Sequence, residues 1–295
     1  MKGDSATVSR RGALYALLAY SAWGLFPIYW KLFGQIPAIE VLSHRVLWSL
    51  VFLLGVLGWQ HRGGELVQLG RSPRKLLLLC LTASLLTFNW GLYIYGVNTE
   101  RVVETSLGYF INPLVNVLLG FVVLKERLNR GQQVAVLLAG VGVASFVWRL
   151  GTVPWIALGL AFSFALYGLF RKLIAVSPMV GLAIETLLML PMALLLIGYK
   201  ITTGTGHFTF NSWLPLLFIS AGVVTSFPLL WFNNAAKRLR LSTLGFFQYL
   251  APSLQLLIGV FLYHEVFSST HAITFGCIWL ALLTYSVTSL TKANS

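Results

Sequence analysis

Apolar residues run through this chain in long stretches, and polar residues gather in short clusters between them. Runs of about 20 mostly apolar residues cross a hydrocarbon core of roughly 30 Å as helices. Ten such runs stand out, at 12–32, 39–59, 76–98, 103–124, 132–148, 154–170, 179–199, 213–234, 241–263 and 272–290, the fifth and sixth being short. A transmembrane β-barrel would alternate apolar and polar residues over segments of about 10, and no such alternation is present. The pattern predicts an all-α polytopic membrane protein of ten transmembrane helices. The longest connection between runs, residues 60–75, is too short to be a soluble domain.

Composition agrees with lipid as the main solvent. The chain is 57% hydrophobic and 10% charged, with a mean hydropathy of +0.80. Its net charge of +13 raises nucleic acid as a partner, and the placement of the basic residues removes the need for one. With a cytoplasmic N-terminus, sixteen of the 21 basic side chains fall in cytoplasmic segments: Lys2, Arg10, Arg11, Arg62, Arg71, Arg74, Lys75, Lys125, Arg127, Arg130, Arg171, Lys172, Lys237, Arg238, Arg240 and Lys292. Outside lie Lys31, Arg101, Arg149 and Lys200, and Arg45 lies within a run. That is the positive-inside bias, with both termini cytoplasmic. The charged lead of Lys2, Arg10 and Arg11 precedes an apolar stretch too long for a signal-peptide core, so it reads as a retained first helix. Cys80 and Cys277 lie within runs, have no partner motif and read as packing residues.

The two halves share an ordered set of residues. "SLGYF" at 106–110 resembles "TLGFF" at 243–247, and Pro113, Leu118, Gly120 and Glu126 match Pro252, Leu257, Gly259 and Glu265. Asn116 matches Gln255, "GLF" at 24–26 recurs at 168–170, Pro37 matches Pro178, and Arg101 matches Arg238. Five spans per half is an odd number, so the second unit enters the membrane inverted. The expected domains are a first repeat at 11–149 and a second at 150–290. Such a pair exchanges inward-open and outward-open forms by alternating access.

Polar groups inside a bundle are costly and usually face its interior, where they have partners or water. Helix 2 carries His44 and Arg45, helix 3 Asn89 beside Trp90, helix 4 Asn112 and Asn116, helix 7 Glu185, helix 8 Asn233 and Asn234, and helix 9 Gln248 and Gln255. Prolines 27, 113, 191, 228 and 252 fall mid-span, where a helix lines a cavity or bends. Arg45 lies roughly 10 Å below the outer end of its helix, and its guanidinium keeps its proton and fits a carboxylate or phosphate. It is a candidate anchor for an anionic substrate; a structural ion pair or a helix-end contact is the alternative. In the repeat alignment His44 sits opposite Glu185, and the axial gap from Arg45 to Glu185 is again roughly 10 Å. The two groups then mark opposite ends of one cavity, with Glu185 or His44 as candidate proton carriers. The amides Asn89, Asn112, Asn116, Gln248 and Gln255 either bind substrate or bridge helices. Trp90, Tyr93, Tyr109, Phe110, Phe246, Phe247 and Tyr249 are candidate pocket walls, and Glu126 and Glu265 are candidate helix-end contacts.

No G-x-x-x-x-G-K-[ST] is present, "HEVFS" at 264–268 lacks a zincin's second His, and there is neither a G-x-S-x-G elbow nor a channel filter. An enzyme is disfavoured. The stretches "WGLFPIYWK", "EVLSHRVLWS", "NWGLYIYGVN", "ETSLGYFINPLVNVLLG" followed by "KERL", and "QYLAPSLQLLIGV" followed by "HE" resemble the EamA family of the drug/metabolite transporter superfamily and, within it, the RarD type. The resemblance runs from Arg11 into the tenth run. It implies ten helices in two inverted repeats, a bacterial inner-membrane location, and a central path lined by helices 1–4 and 6–9 with 5 and 10 peripheral.

The expected function is secondary transport of a small polar, carboxylate-bearing metabolite; the alternative is a non-transporting membrane sensor or assembly partner. Expected partners are that metabolite and the lipid bilayer, with a proton and a second copy of the chain as further candidates, and without nucleic acid, metal or cofactor.

Overall fold

The computed structural model describes residues 2–123, 125, 130–174, 176–209, 212–236, 238–239 and 247–293. Glu126 and Phe246 fall outside them, as does the side chain of Asn233. Among the described residues all regular structure is helical: α1 (Lys2–Lys31), α2 (Ala38–Trp59), α3 (Gly63–Gly70), α4 (Pro73–Asn98), α5 (Val102–Val122), α6 (Arg130–Leu150), α7 (Trp155–Leu173), α8 (Pro178–Thr202), α9 (Leu214–Ala236), α10 (Leu250–Leu257) and α11 (Ser269–Ala293). A π-helical turn, Ile258–Leu262, extends α10.

Among the described residues six helices have stretches long and apolar enough to cross a membrane: Arg10–Lys31, Ala38–Trp59, Pro73–Asn98, Val102–Val122, Pro178–Thr202 and Leu214–Phe232. Four more, Gln133–Arg149, Trp155–Arg171, Leu250–Leu262 and Ser269–Thr284, are apolar but shorter. The chain is a polytopic membrane protein. Leu195, Leu216, Phe261 and Trp148 stand exposed on its flanks, where lipid rather than water rewards them. The sequence read residues 60–75 as a plain connection, and the structure places the short helix α3 there.

Local sequence sets the helix ends. Pro73 and Pro178 open α4 and α8 at first-turn positions, where a missing N–H costs nothing. Left-handed backbone follows α2 at His61 (φ 55°), α4 at Glu100 (φ 59°) and the π turn at His264 (φ 53°). Lys125, 139 positions before His264, has the same backbone (φ 55°).

Cross-links gather the connections at two ends of the bundle. At the far end Lys31 reaches Glu100 at 3.4 Å and covers Tyr263, the Asn98 amide donates to the Ile36 carbonyl at 3.5 Å, and Glu104 accepts from the Ile156 N–H at 3.0 Å. Glu265 accepts from the first two N–H groups of α5, Val102 and Val103, both at 2.7 Å, so one carboxylate caps a helix 160 residues upstream in place of a local cap. Burial holds this carboxyl above the usual carboxylate range despite the two donors. At the near end, which carries the N-terminal segment, Arg62 clamps Glu65 of α3 at 2.6 and 2.9 Å and donates to Ser177 at 2.9 Å. The hydrogen bond from Arg62 lowers the Glu65 pKa.

Helices pair in matched sets. α1 packs on α9 as α7 packs on α4, α5 on α7 as α10 on α1, and α2 on α9 as α8 on α4; α6 pairs with α11. Small residues set these distances. A Cβ at Gly222 of α9 would run into the backbone of Trp48 and Ser49 in α2, and one at Gly108 of α5 into the backbone of Ala157 in α7.

Candidate substrate site

α2 carries the chemistry. Glu40, Val41, Leu42, Ser43, His44, Arg45 and Val46 are all buried, so these two turns of the helix are surrounded on every side. Arg45 is 4% exposed, and no ion pair or hydrogen bond reaches its guanidinium from the described residues. Instead its Cζ lies 3.9 Å from the ring centre of Trp90 on α4 and 5.0 Å from that of Trp30 on α1. Tyr29, Tyr93 and Tyr109 lie within electrostatic reach. Tyr93 and Tyr109 meet edge to face at 5.7 Å, while Tyr29 spends its hydroxyl on the Leu217 carbonyl (2.7 Å) and Ser220 (2.9 Å) of α9.

Arg45 Nε, Trp30 Nε1, Trp48 Nε1, His44 Nδ1 and Tyr93 Oη are buried without a hydrogen-bond partner. A buried polar group left unpaired costs about 1–3 kcal/mol, and a charged one more. Cation–π contacts contribute about 0.5–2 kcal/mol each and do not offset the several kcal/mol needed to bury an ion. Packing alone therefore does not account for this cluster, which makes it the candidate site for a solute.

The far end of the cluster is covered by the connection between α8 and α9. Its Phe208 stacks on His44 at 5.0 Å with an interplanar angle of 9°, and lies 6.4 Å from Trp48; Phe218 packs on His44 from α9 at 4.2 Å. Glu40, one turn before His44, fixes this connection by accepting from the His207 N–H at 2.7 Å and meeting its Nδ1 at 2.9 Å, with Lys200 at 3.9 Å. Neither Glu40 nor His207 stands out in sequence, because each lies at a helix end or in a loop where charge is ordinary.

Glu185 forms a second centre. It is 1% exposed, accepts from Thr82 at 2.6 Å and Tyr167 at 3.3 Å, and faces Arg171 Nε at 3.7 Å. Arg171 reads in sequence as a loop charge. It turns inward from the last turn of α7 because Gly181 of α8 leaves its guanidinium room; a Cβ there would overlap it. The residues of α4 that meet the two centres, Trp90 and Thr82, are eight positions apart, about 12 Å along the helix. Arg45 and Glu185 are thus separate centres.

Three of the amide candidates are engaged in bridging. Asn89 donates to the Leu160 carbonyl (3.0 Å) and Ser163 (2.9 Å) on α7, Asn112 to the Ala161 carbonyl (2.9 Å), and Gln255 to the Trp23 carbonyl (3.1 Å). Asn116, exposed, donates to Asn112 at 3.2 Å, and Gln248 is half-buried. Phe110 packs against Phe275 and Trp279 of α11, away from Arg45, and Phe247 joins the cluster of Tyr20 and Ala251. A groove of about 340 Å³ between α1 and α9, lined by Phe26, Tyr29, Val224, Phe227 and Trp231 among others, is almost wholly apolar and does not suit a polar solute.

The EamA-like transporter family model matches residues 10–148, which include the first half of the site. Protein RarD of Salmonella typhi is 49% identical over 93% of this chain and 94% of its own length. The chain belongs to the EamA-like transporter family, in its RarD group. An uncharacterized transporter of Vibrio cholerae is 47% identical, covering 97% of this chain and 95% of its own. The chloramphenicol-sensitive protein RarD of Pseudomonas aeruginosa is 30% identical, covering 94% and 93%. One crystal structure superposes with a TM-score of 0.61 at 18% identity over 92% of this chain and 96% of its own, a likeness of fold alone. Family and relatives point to a transporter rather than an enzyme. Among the described residues no group of three or more His, Cys, Asp and Glu side chains gathers to hold a metal.

Proposed function

We propose that this RarD-group protein is a secondary transporter of a small carboxylate-bearing metabolite in the bacterial inner membrane, with both termini cytoplasmic and the solute anchored by Arg45. The carrying observation is a buried guanidinium with no acidic partner among the described residues, set among aromatic side chains of which Trp30, Trp48 and Tyr93 carry unpaired polar atoms. A transported anion supplies the missing acceptor, and its departure leaves the charge to the indole faces.

Two inverted five-helix units, 11–149 and 150–290, would carry the solute by alternating access, as ten spans. Supporting this are the matched helix pairings, the shared left-handed backbone of Lys125 and His264, and the ordered sequence matches. The charge bias of the connections supports the orientation. Glu185 is the candidate carrier of a coupling proton, since it is buried beside one cation and two hydroxyl donors. Counterflow of labelled carboxylates into liposomes containing purified protein tests the reading. Wild type exchanges at least one, and Arg45→Met exchanges none while remaining folded. Glu185→Gln removes the pH dependence of exchange; an unchanged pH profile excludes Glu185 as the carrier.

A further inference from the structure

The Arg45 site is more selective than a generic anion site, because of what surrounds the guanidinium. We infer that it takes a monocarboxylate with a planar, apolar body and without an ammonium group. This rests on the reading of Arg45 as substrate anchor and narrows the class of solute.

The charge balance gives the first limit. Among the described residues one cation faces the site, and the two acids nearest it are engaged elsewhere: Glu40 by His207 and Lys200, and Glu185, about 12 Å away along α4, by Thr82, Tyr167 and Arg171. A zwitterionic amino acid would bury its ammonium group with no carboxylate to receive it, and the indole faces that attract cations already hold the guanidinium. A dicarboxylate or a phosphate dianion would bury a second negative charge with no second cation.

Geometry gives the second limit. Guanidinium N–H groups radiate in the plane of the group, and with its Cζ 3.9 Å over the Trp90 ring and no hydrogen bond to the described residues, those N–H groups remain for a bidentate carboxylate. The unpaired donors Trp30 Nε1, Trp48 Nε1 and Tyr93 Oη can meet further acceptor lone pairs, and every one of them is carried on an aromatic ring. Tyr109 and Tyr29 extend the same aromatic wall. Rings favour offset-stacked or edge-to-face contact with a planar body over contact with a flexible aliphatic chain.

The test is equilibrium binding of labelled phenylpropionate to the purified full-length protein in detergent, competed by L-phenylalanine, phenethylamine, succinate and hexanoate. L-phenylalanine differs from phenylpropionate only in the amino group. The expected result is that phenylpropionate binds, that L-phenylalanine, phenethylamine and succinate each compete more than tenfold more weakly, that hexanoate competes severalfold more weakly, and that Arg45→Met loses binding. If L-phenylalanine or succinate competes as well as phenylpropionate, and binding still needs Arg45, the charge limit is overturned while the anchor reading stands. If hexanoate competes equally, the planar body is overturned. If phenylpropionate does not bind, or binds folded Arg45→Met as it binds wild type, the inference falls, and in the second case the anchor reading falls with it. Should Arg45→Met not fold, the competition series on wild type decides the inference by itself.

Discussion

Replacing Arg45 by methionine separates a functional charge from a structural one. Methionine keeps most of the side-chain volume among Trp30, Trp90 and Tyr93 and removes the guanidinium. Among the described residues that group has no acidic partner, so its burial costs several kcal/mol with no ion pair in return. Two indole contacts, at 3.9 and 5.0 Å, contribute about 0.5–2 kcal/mol each in the other direction. The balance predicts that Arg45→Met is as stable as wild type or more stable, by about 0–3 kcal/mol, which amounts to a melting temperature unchanged or raised by several degrees. Transport falls to background. Thermal unfolding followed by tryptophan fluorescence and counterflow in liposomes measure the two sides on one preparation. A melting temperature lowered by the equivalent of about 2 kcal/mol or more, on the way to the roughly 3–5 kcal/mol that breaking a buried pair costs, would refute the reasoning and assign Arg45 to the fold. Arg45→Lys keeps a charge without the planar fork, and its exchange falls at least tenfold.

Gly222→Ala destabilises by about 1–3 kcal/mol because its Cβ meets the backbone of α2, whereas Gly140→Ala, with open space around it, gains about 0.5–1 kcal/mol of helix stability; paired melting curves compare them. Glu265→Ala strips two N–H groups at the start of α5 and costs about 1–3 kcal/mol, read by thermal unfolding at neutral pH. The same variant carries a pH signature. The folded carboxyl of Glu265 titrates above its ordinary value, so the native state binds the proton more tightly than the unfolded chain, and this group's contribution to stability declines as pH rises from the ordinary carboxylate range through the raised value; Glu265→Ala loses that component of the slope. Glu40→Ala frees the 203–209 segment, and hydrogen exchange at the His207 amide speeds up by at least tenfold.

The helices were legible because lipid leaves so few alternatives: each span must satisfy its own backbone, so long apolar runs translate into helices almost directly. Helix α3 was not, since "GGELVQLG" opens on two glycines and is held by Arg62, Glu65 and Ser177 rather than by its own apolar length. Arg45 was legible as a permanent charge inside an apolar run. Its companions Trp30 and Trp48 were not, because aromatics make up 14% of the chain and nothing local separates a site ring from a packing ring. Arg171 was hidden for a different reason. Its role depends on the missing side chain at Gly181 and on a carboxylate on the next helix, neither of which its own neighbourhood announces. The Glu40–His207 contact joins residues 167 apart, beyond any local pattern.

The proposed symmetry and the site's chemistry pull in different directions, and the difference bears on mechanism. Tyr29, Trp30, Arg45, Trp48, Trp90, Tyr93 and Tyr109 all belong to the first unit, α1 to α6. The position matched to Arg45 in the second unit is Thr186, which donates to the carbonyls of Leu182 and Ala183 on its own helix and offers no charge. The second unit contributes the cover, Phe208 and Phe218, and the separate Glu185 centre. On the alternating-access reading, a solute held by one unit keeps its anchor while the other unit slides past it, so the Arg45 contact persists through reorientation and breaks only on release. The part of the cover on the α8–α9 connection has to move, and its ties include the stacking of Phe208 on His44 and Trp48 and the polar contacts of Glu40 with His207 and Lys200. Loosening those ties therefore speeds exchange without changing which solute is exchanged, whereas changes around Arg45 alter the solute. A Glu40→Ala protein that exchanges the wild-type solutes in the same order of preference, at a higher rate, is the expected outcome; a changed order would place the selectivity in the cover and contradict this division of labour.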